Sequence, residues 1–186
     1  MKRKVLSILL MATLFFIGCG ERNIVVENRA VVSIAPLKPL VESILGDDFE
    51  VSVLVPLGAS PETFEPTPKQ YIALNEAQMI FSTGLIEFES ALLERLADKT
   101  HIVDLSRNIP LIEGTCNHNH TSRAHKHGID PHIWTSPREL KTMARNAYDA
   151  IITHYPDSVK YTESYNCLAR QIEQLDEECR QRCGSS

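Results

Sequence analysis

The 186 residues include 19 Lys and Arg against 24 Asp and Glu, giving a formal net charge of -5, with 43% hydrophobic and 23% charged residues. That length allows one good core or two very small ones, and the composition is that of a globular protein, not a disordered one. The acidic balance, with no basic stripe interleaved with aromatics, argues against nucleic acid as a partner.

The N-terminus reads as an export signal. Lys2, Arg3 and Lys4 are followed by an apolar or weakly polar run from Val5 to Phe16, and Ile17-Gly18-Cys19 closes it. The run is shorter than the ~20 residues that span a bilayer as a helix. Phe16-Ile17-Gly18-Cys19 resembles a bacterial lipobox, although Phe16 stands where Leu is usual. The resemblance implies a signal peptide over 1–18, lipidation of Cys19, and a polar tether over 19–29 that holds the protein outside the cytoplasmic membrane. An ordinary cleavage site and a freely secreted protein is the other reading.

Ala30 to Ala35 is a β-branched run suited to a buried strand, and Pro36 to Leu45 has helical spacing ended by Gly46. Phe49 to Val55 alternates as a strand and breaks at Pro56-Leu57-Gly58-Ala59-Ser60-Pro61. Thr67 is placed to cap a helix with Pro68 in its first position. Met79 to Thr83, Phe88 to Ala97 and His101 to Leu105 read as strand, helix and strand. Alternation of this kind predicts an α/β fold, a doubly wound parallel four-stranded sheet covered by helices on both faces. Ligands of such sheets sit beyond the carboxyl ends of the strands, where the loops carrying Glu62 and His132 both leave. From Ser136, an expected cap, the pattern is helical to His154. After Pro156 a helix of ~25 residues, about 38 Å, runs from about Asp157 to Arg182. Its apolar side is Val159, Tyr161, Tyr165, Leu168, Ile172 and Leu175. Gly184-Ser185-Ser186 reads as the start of a further loop.

The stretch Cys116 to Pro137 carries the chemistry. His118, His120, His125 and His127 lie on a polar segment over 116–128 and can gather round one zinc, copper or nickel ion without a prebuilt cavity, or can be a solvated surface loop. His132 differs: Pro131 fixes the backbone before it, and Ile133 and Trp134 anchor it against a core. Cys116 is either a thiolate beside these histidines or an incidental loop residue. The cysteines other than Cys19, namely Cys116, Cys167, Cys179 and Cys183, do not form a disulfide framework, and no pairing follows.

Pro56 to Pro61, Phe64-Glu65-Pro66-Thr67-Pro68, Ser82-Thr83-Gly84 and Asp130-Pro131-His132-Ile133-Trp134 with Ser136-Pro137 occur in one order. Together they resemble the metal-binding lipoproteins of bacterial ABC importers for zinc and manganese, the zinc-uptake type. The resemblance covers Ala30 to about Cys179 and implies two α/β lobes joined by a long helix, with two metal ligands from each lobe. This chain resembles the first lobe, 30–154, and the linking helix, 155–186, which reads as truncated. His132 matches the histidine of the family's Asp-Pro-His segment, and His118 to His127 match its His-rich loop. Glu62 stands where a histidine is usual; as a ligand its carboxylate binds zinc at about 2.0 to 2.2 Å and suits manganese better than imidazole does. A solvated loop charge is the other reading of Glu62, and Glu65 is a weaker candidate that caps or solvates the next helix. The resemblance implies a monomeric, non-enzymatic component that captures Zn2+, or less readily Mn2+, for an ABC permease and its ATPase. A metal-sequestering or cell-adhesion lipoprotein on the same fold, or a half-receptor without transport, is the alternative. A zinc hydrolase is disfavoured by the lack of a His-Glu-x-x-His helix and a placed general base.

Overall fold

Four short β-branched runs become four strands of one parallel sheet in the computed structural model, which describes residues 28–96, 101–112, 129–156 and 158–183. They are β1 (Asn28–Val32), β2 (Phe49–Val53), β3 (Met79–Ser82) and β4 (His101–Asp104), in the order β2-β1-β3-β4. β1 pairs with both β2 and β3, and β3 with β4. The ladder runs a little past the formal ends, since Ser33 N–H donates to Phe81 O at 3.0 Å and Val55 N–H to Ser33 O at 3.1 Å. β3 is buried on every residue, whereas Glu50 and Ser52 of edge strand β2 reach solvent, as an edge position permits.

The helices are α1 (Lys38–Leu45), α2 (Pro68–Glu76), α3 (Glu87–Leu96), α4 (Pro137–His154) and α5 (Val159–Cys183). The predicted Pro36 to Leu45 helix is a 3-10 turn, Ala35–Leu37, followed by α1. Right-handed crossovers put α1 on one face of the sheet and α2 and α3 on the other, because the chain turns one way from β1 to β2 and the other way from β2 onward. α4 and α5 pack on each other and on α1. Phe81, Leu37, Ile44, Leu74 and Ile151 are fully buried between these layers. Burying a side chain of this size contributes roughly 1.5–3 kcal/mol.

Thr67 caps α2 as expected: its side chain accepts from Gln70 N–H and the Gln70 side chain accepts from Thr67 N–H, a capping box. Ser136 occupies the position before α4 but makes no side-chain cap; its hydroxyl donates to the Glu139 carboxylate.

The described ties of the long helix α5 to its neighbours run from Lys160 to Glu173. Tyr161 and Ile172 are buried, the Tyr148 and Tyr165 rings stack 4.3 Å apart, and Lys160 reaches Asp48 at 2.7 Å. Val159 and Leu175, expected on the packed side, are exposed at 69% and 45%. No described helix is long and apolar enough to cross a membrane.

Candidate metal centre

The order β2-β1-β3-β4 places a topological switch between β1 and β3, whose following loops depart to opposite sides and leave a crevice at the carboxyl edge of the sheet. A cavity of about 370 Å³ lies there. The loop after β1 (Ile34, Ala35, Pro36), the loop after β2 (Val55 to Pro61), Ile86 after β3, and Pro131, His132 and Trp134 all line it. The two loops that the sequence sends to this edge therefore meet in one cavity.

Each wall has a local cause. Ala59 N–H closes on Pro56 O at 3.1 Å, and Gly58 at φ +86° supplies the left-handed conformation that the third residue of such a turn adopts. Pro61–Thr63 continues as a 3-10 turn. On the facing wall Ile133 is buried in the core and starts a second short turn, Ile133–Thr135, in which Thr135 Oγ1 donates to His132 O at 2.7 Å. The apolar neighbours anchor His132 as expected, while its own side chain stays 64% exposed.

The imidazole is oriented by Asp130. Its Oδ1 lies 2.7 Å from His132 Nδ1 and accepts His132 N–H at 3.0 Å. With the Nδ1 proton held by a carboxylate, Nε2 carries the lone pair, the arrangement that orients a metal-binding histidine. The bond from His132 N–H, and then the bond from its ring, hold the Asp130 carboxyl below its ordinary value. Sequence alone assigns Asp130 no role, but the spacing contains it: with one Pro between them, the carboxylate folds back on the backbone and ring of residue i+2.

Asp130 N–H also donates to Ile112 O at 3.0 Å, so the chain leaves at Ile112 and returns at Asp130, two residues before His132. His118, His120, His125 and His127, with Cys116, fall between these points and lie outside the described residues, as does Cys19. Glu62 sits in the turn directly after the cavity-lining Pro61, with its side chain outside the described ones. Glu65 is exposed and lines a separate groove of about 560 Å³ with Phe64, Tyr71 and Arg95. The cap it was a candidate to provide comes from Thr67 and Gln70. Cys167, Cys179 and Cys183 are free thiols on α5. Among the described residues no three His, Cys, Asp or Glu converge, so the described centre consists of one oriented imidazole at the mouth of a cavity.

Residues 30–185 match the family model for the periplasmic zinc-uptake complex component A. The zinc-binding protein AdcA of Streptococcus pyogenes is 26% identical over 200 residues, covering 95% of this chain and 38% of that protein. The manganese-binding lipoprotein MntA of Halalkalibacterium halodurans is 25% identical over 184 residues, covering 95% of this chain and 59% of the relative. The zinc-bound crystal structure of a ZnuA deletion mutant superimposes with a TM-score of 0.71 at 32% identity, over 83% of this chain and 57% of that one. The chain thus spans between two fifths and three fifths of the length of these relatives.

Proposed function

Because the chain belongs to the periplasmic zinc-uptake complex component A family, a family of metal-binding components and not of enzymes, we propose that it captures zinc outside the cytoplasmic membrane for delivery to an ABC permease and its ATPase. Manganese is the less favoured cargo. The relatives divide between the two metals by name, AdcA as zinc-binding and MntA as manganese-binding, and the chemistry here leans to zinc because imidazole is the better zinc ligand. The observation that carries the reading is the Asp130-oriented imidazole of His132 on the wall of the switch-point cavity.

In this reading His132 and Glu62 are the fixed ligands, and His118, His120, His125 and His127 are a loose collecting loop that begins and ends beside them. Two protein ligands do not complete the four of a tetrahedral zinc shell, so water or further groups fill the rest. Residues 30–154 form the metal-binding lobe and 155–186 the inter-lobe helix. Cys19 anchors the protein by its lipid, and it acts as a monomer.

Trp134 is the one tryptophan of the chain, and its ring lies 5.3 Å from that of His132. Zinc titration followed by its fluorescence therefore reports on this site. The expected result is a response that His132→Ala abolishes, while deletion of 116–128 lowers the number of ions bound and leaves the Trp134 response in place. A response indifferent to His132→Ala would overturn the reading.

A further inference from the structure

Directly behind the cavity wall, at the carboxyl end of β3, a carboxylate is fully buried. Glu89 in the first turn of α3 is 1% exposed, and no salt bridge among the described residues includes it. An unpaired buried carboxylate is costly unless hydrogen bonds satisfy it. Here Oε1 accepts Thr83 N–H at 3.2 Å, and Oε2 accepts Thr83 Oγ1–H at 2.8 Å, Leu85 N–H at 3.1 Å and Ile86 N–H at 3.3 Å. Every one of these bonds is donated to Glu89, as an acceptor-only carboxylate requires.

The loop is shaped for this anion. Gly84 at φ +64° turns the chain so that the N–H groups of Thr83, Leu85 and Ile86 converge on the carboxylate while its own N–H goes to Ser82 Oγ at 3.0 Å, a concave arrangement of the kind that binds anions. A Cβ at Gly84 would meet no atom within 4 Å, so the backbone angle and not crowding calls for glycine. In doubly wound sheets this is the position where a ligand's anionic group sits, and here the chain's own carboxylate fills it. The start of α3 touches the cavity through Ile86, whose N–H Glu89 holds and which lines it, while Phe88 packs edge-on to Phe64 beside the separate groove, with centroids 5.4 Å apart.

Resting on the metal-capture reading above, we propose that Glu89 is a positioning residue for the metal centre. It clamps the Thr83–Ile86 loop and with it the Ile86 wall of the His132 cavity.

The test compares the full chain with E89Q, which keeps the size but, whichever way the amide turns, puts a donor against at least one backbone N–H, and with Thr83→Val, which keeps Glu89 and removes the Thr83 hydroxyl with its bond to Glu89 and the 3.4 Å one it accepts from Leu85 N–H. Zinc affinity is read from Trp134 fluorescence well below the thermal midpoint, and amide exchange at Leu85 and Ile86 is read in metal-free protein. E89Q is expected to exchange faster at both amides and to bind zinc roughly tenfold more weakly, the size of effect seen when support around a metal ligand is lost. Thr83→Val should show a smaller loss. A merely structural role would lower the thermal midpoint and leave the affinity unmoved, and that result overturns the proposal. If E89Q does not fold, Thr83→Val decides, with parental affinity counting against the role. Loss of the response in His132→Ala but not in E89Q rejects the role of Glu89 alone, whereas a parent response that survives His132→Ala rejects the metal-capture reading beneath it.

Discussion

One oxygen of Asp130, Oδ1, accepts both the ring Nδ1–H and the backbone N–H of His132, at 2.7 and 3.0 Å. A single acceptor atom therefore fixes both the tautomer and the direction of the imidazole. Asn offers the same acceptor geometry without the charge, and Ala offers neither. Asp130→Asn is expected to weaken zinc binding modestly, and Asp130→Ala to weaken it about 10- to 100-fold, the range for loss of a carboxylate behind a metal-binding histidine. Calorimetric titration of the two variants checks the order. Equal affinities for Ala and the parent would show that the orientation does not matter.

Glu62 occupies the turn directly after Pro61, which lines the His132 cavity. On the proposed reading, replacing its carboxylate by imidazole exchanges a ligand suited to manganese for one suited to zinc. Glu62→His is expected to raise the ratio of zinc to manganese affinity, measured by competition of the two metals for the Trp134 response. A ratio equal to the parent's would remove Glu62 from the metal shell.

The strands, the helices and the edge where the loops meet were legible because they rest on local chemistry: β-branched runs, helical spacing, and proline at helix starts. Thr67 capped as its type and position suggest, but Ser136, with the same credentials, did not: residue type and position do not fix the rotamer that turns the oxygen toward the helix amides. The exposure of Val159 and Leu175 was not legible, since periodicity shows that a stripe exists and not where its packing partner ends. In the site, His132 stood out through its fixed neighbours. Glu89 and Asn146 did not, because a buried polar residue is recognised by its partners, and those of Asn146 lie about 40 positions away in the sequence.

Asn146, buried on α4, donates from Nδ2 to Leu105 O at 3.0 Å and to Arg107 O at 2.8 Å, and so ties the helix to the turn after β4. Asn146→Ala leaves two carbonyls of that turn, one buried and one part-buried, without their donor. A loss of about 1–3 kcal/mol is expected from chemical denaturation. A loss near zero would mean that water replaces the amide.

His101 at the start of β4 and His154 at the end of α4 bring their rings to a centroid distance of 3.8 Å, at the edge of the sheet opposite the metal cavity. Partial burial first, and the neighbouring His101 second, hold His154 below its ordinary value of 6.5. The unfolded chain therefore takes up a proton near pH 6.5 that the folded chain still refuses. Above that pH both states are neutral at His154 and it adds no pH dependence. As pH falls through 6.5 toward the lower folded value, the unfolded state gains the proton first and stability declines. His154→Gln is expected to flatten the fall of the thermal midpoint below pH 6.5. His101→Leu, which keeps bulk over the ring and removes only the second cause, should flatten it in part. Midpoints recorded across this range for the three proteins check the assignment, and parallel curves for the parent and His154→Gln would refute it.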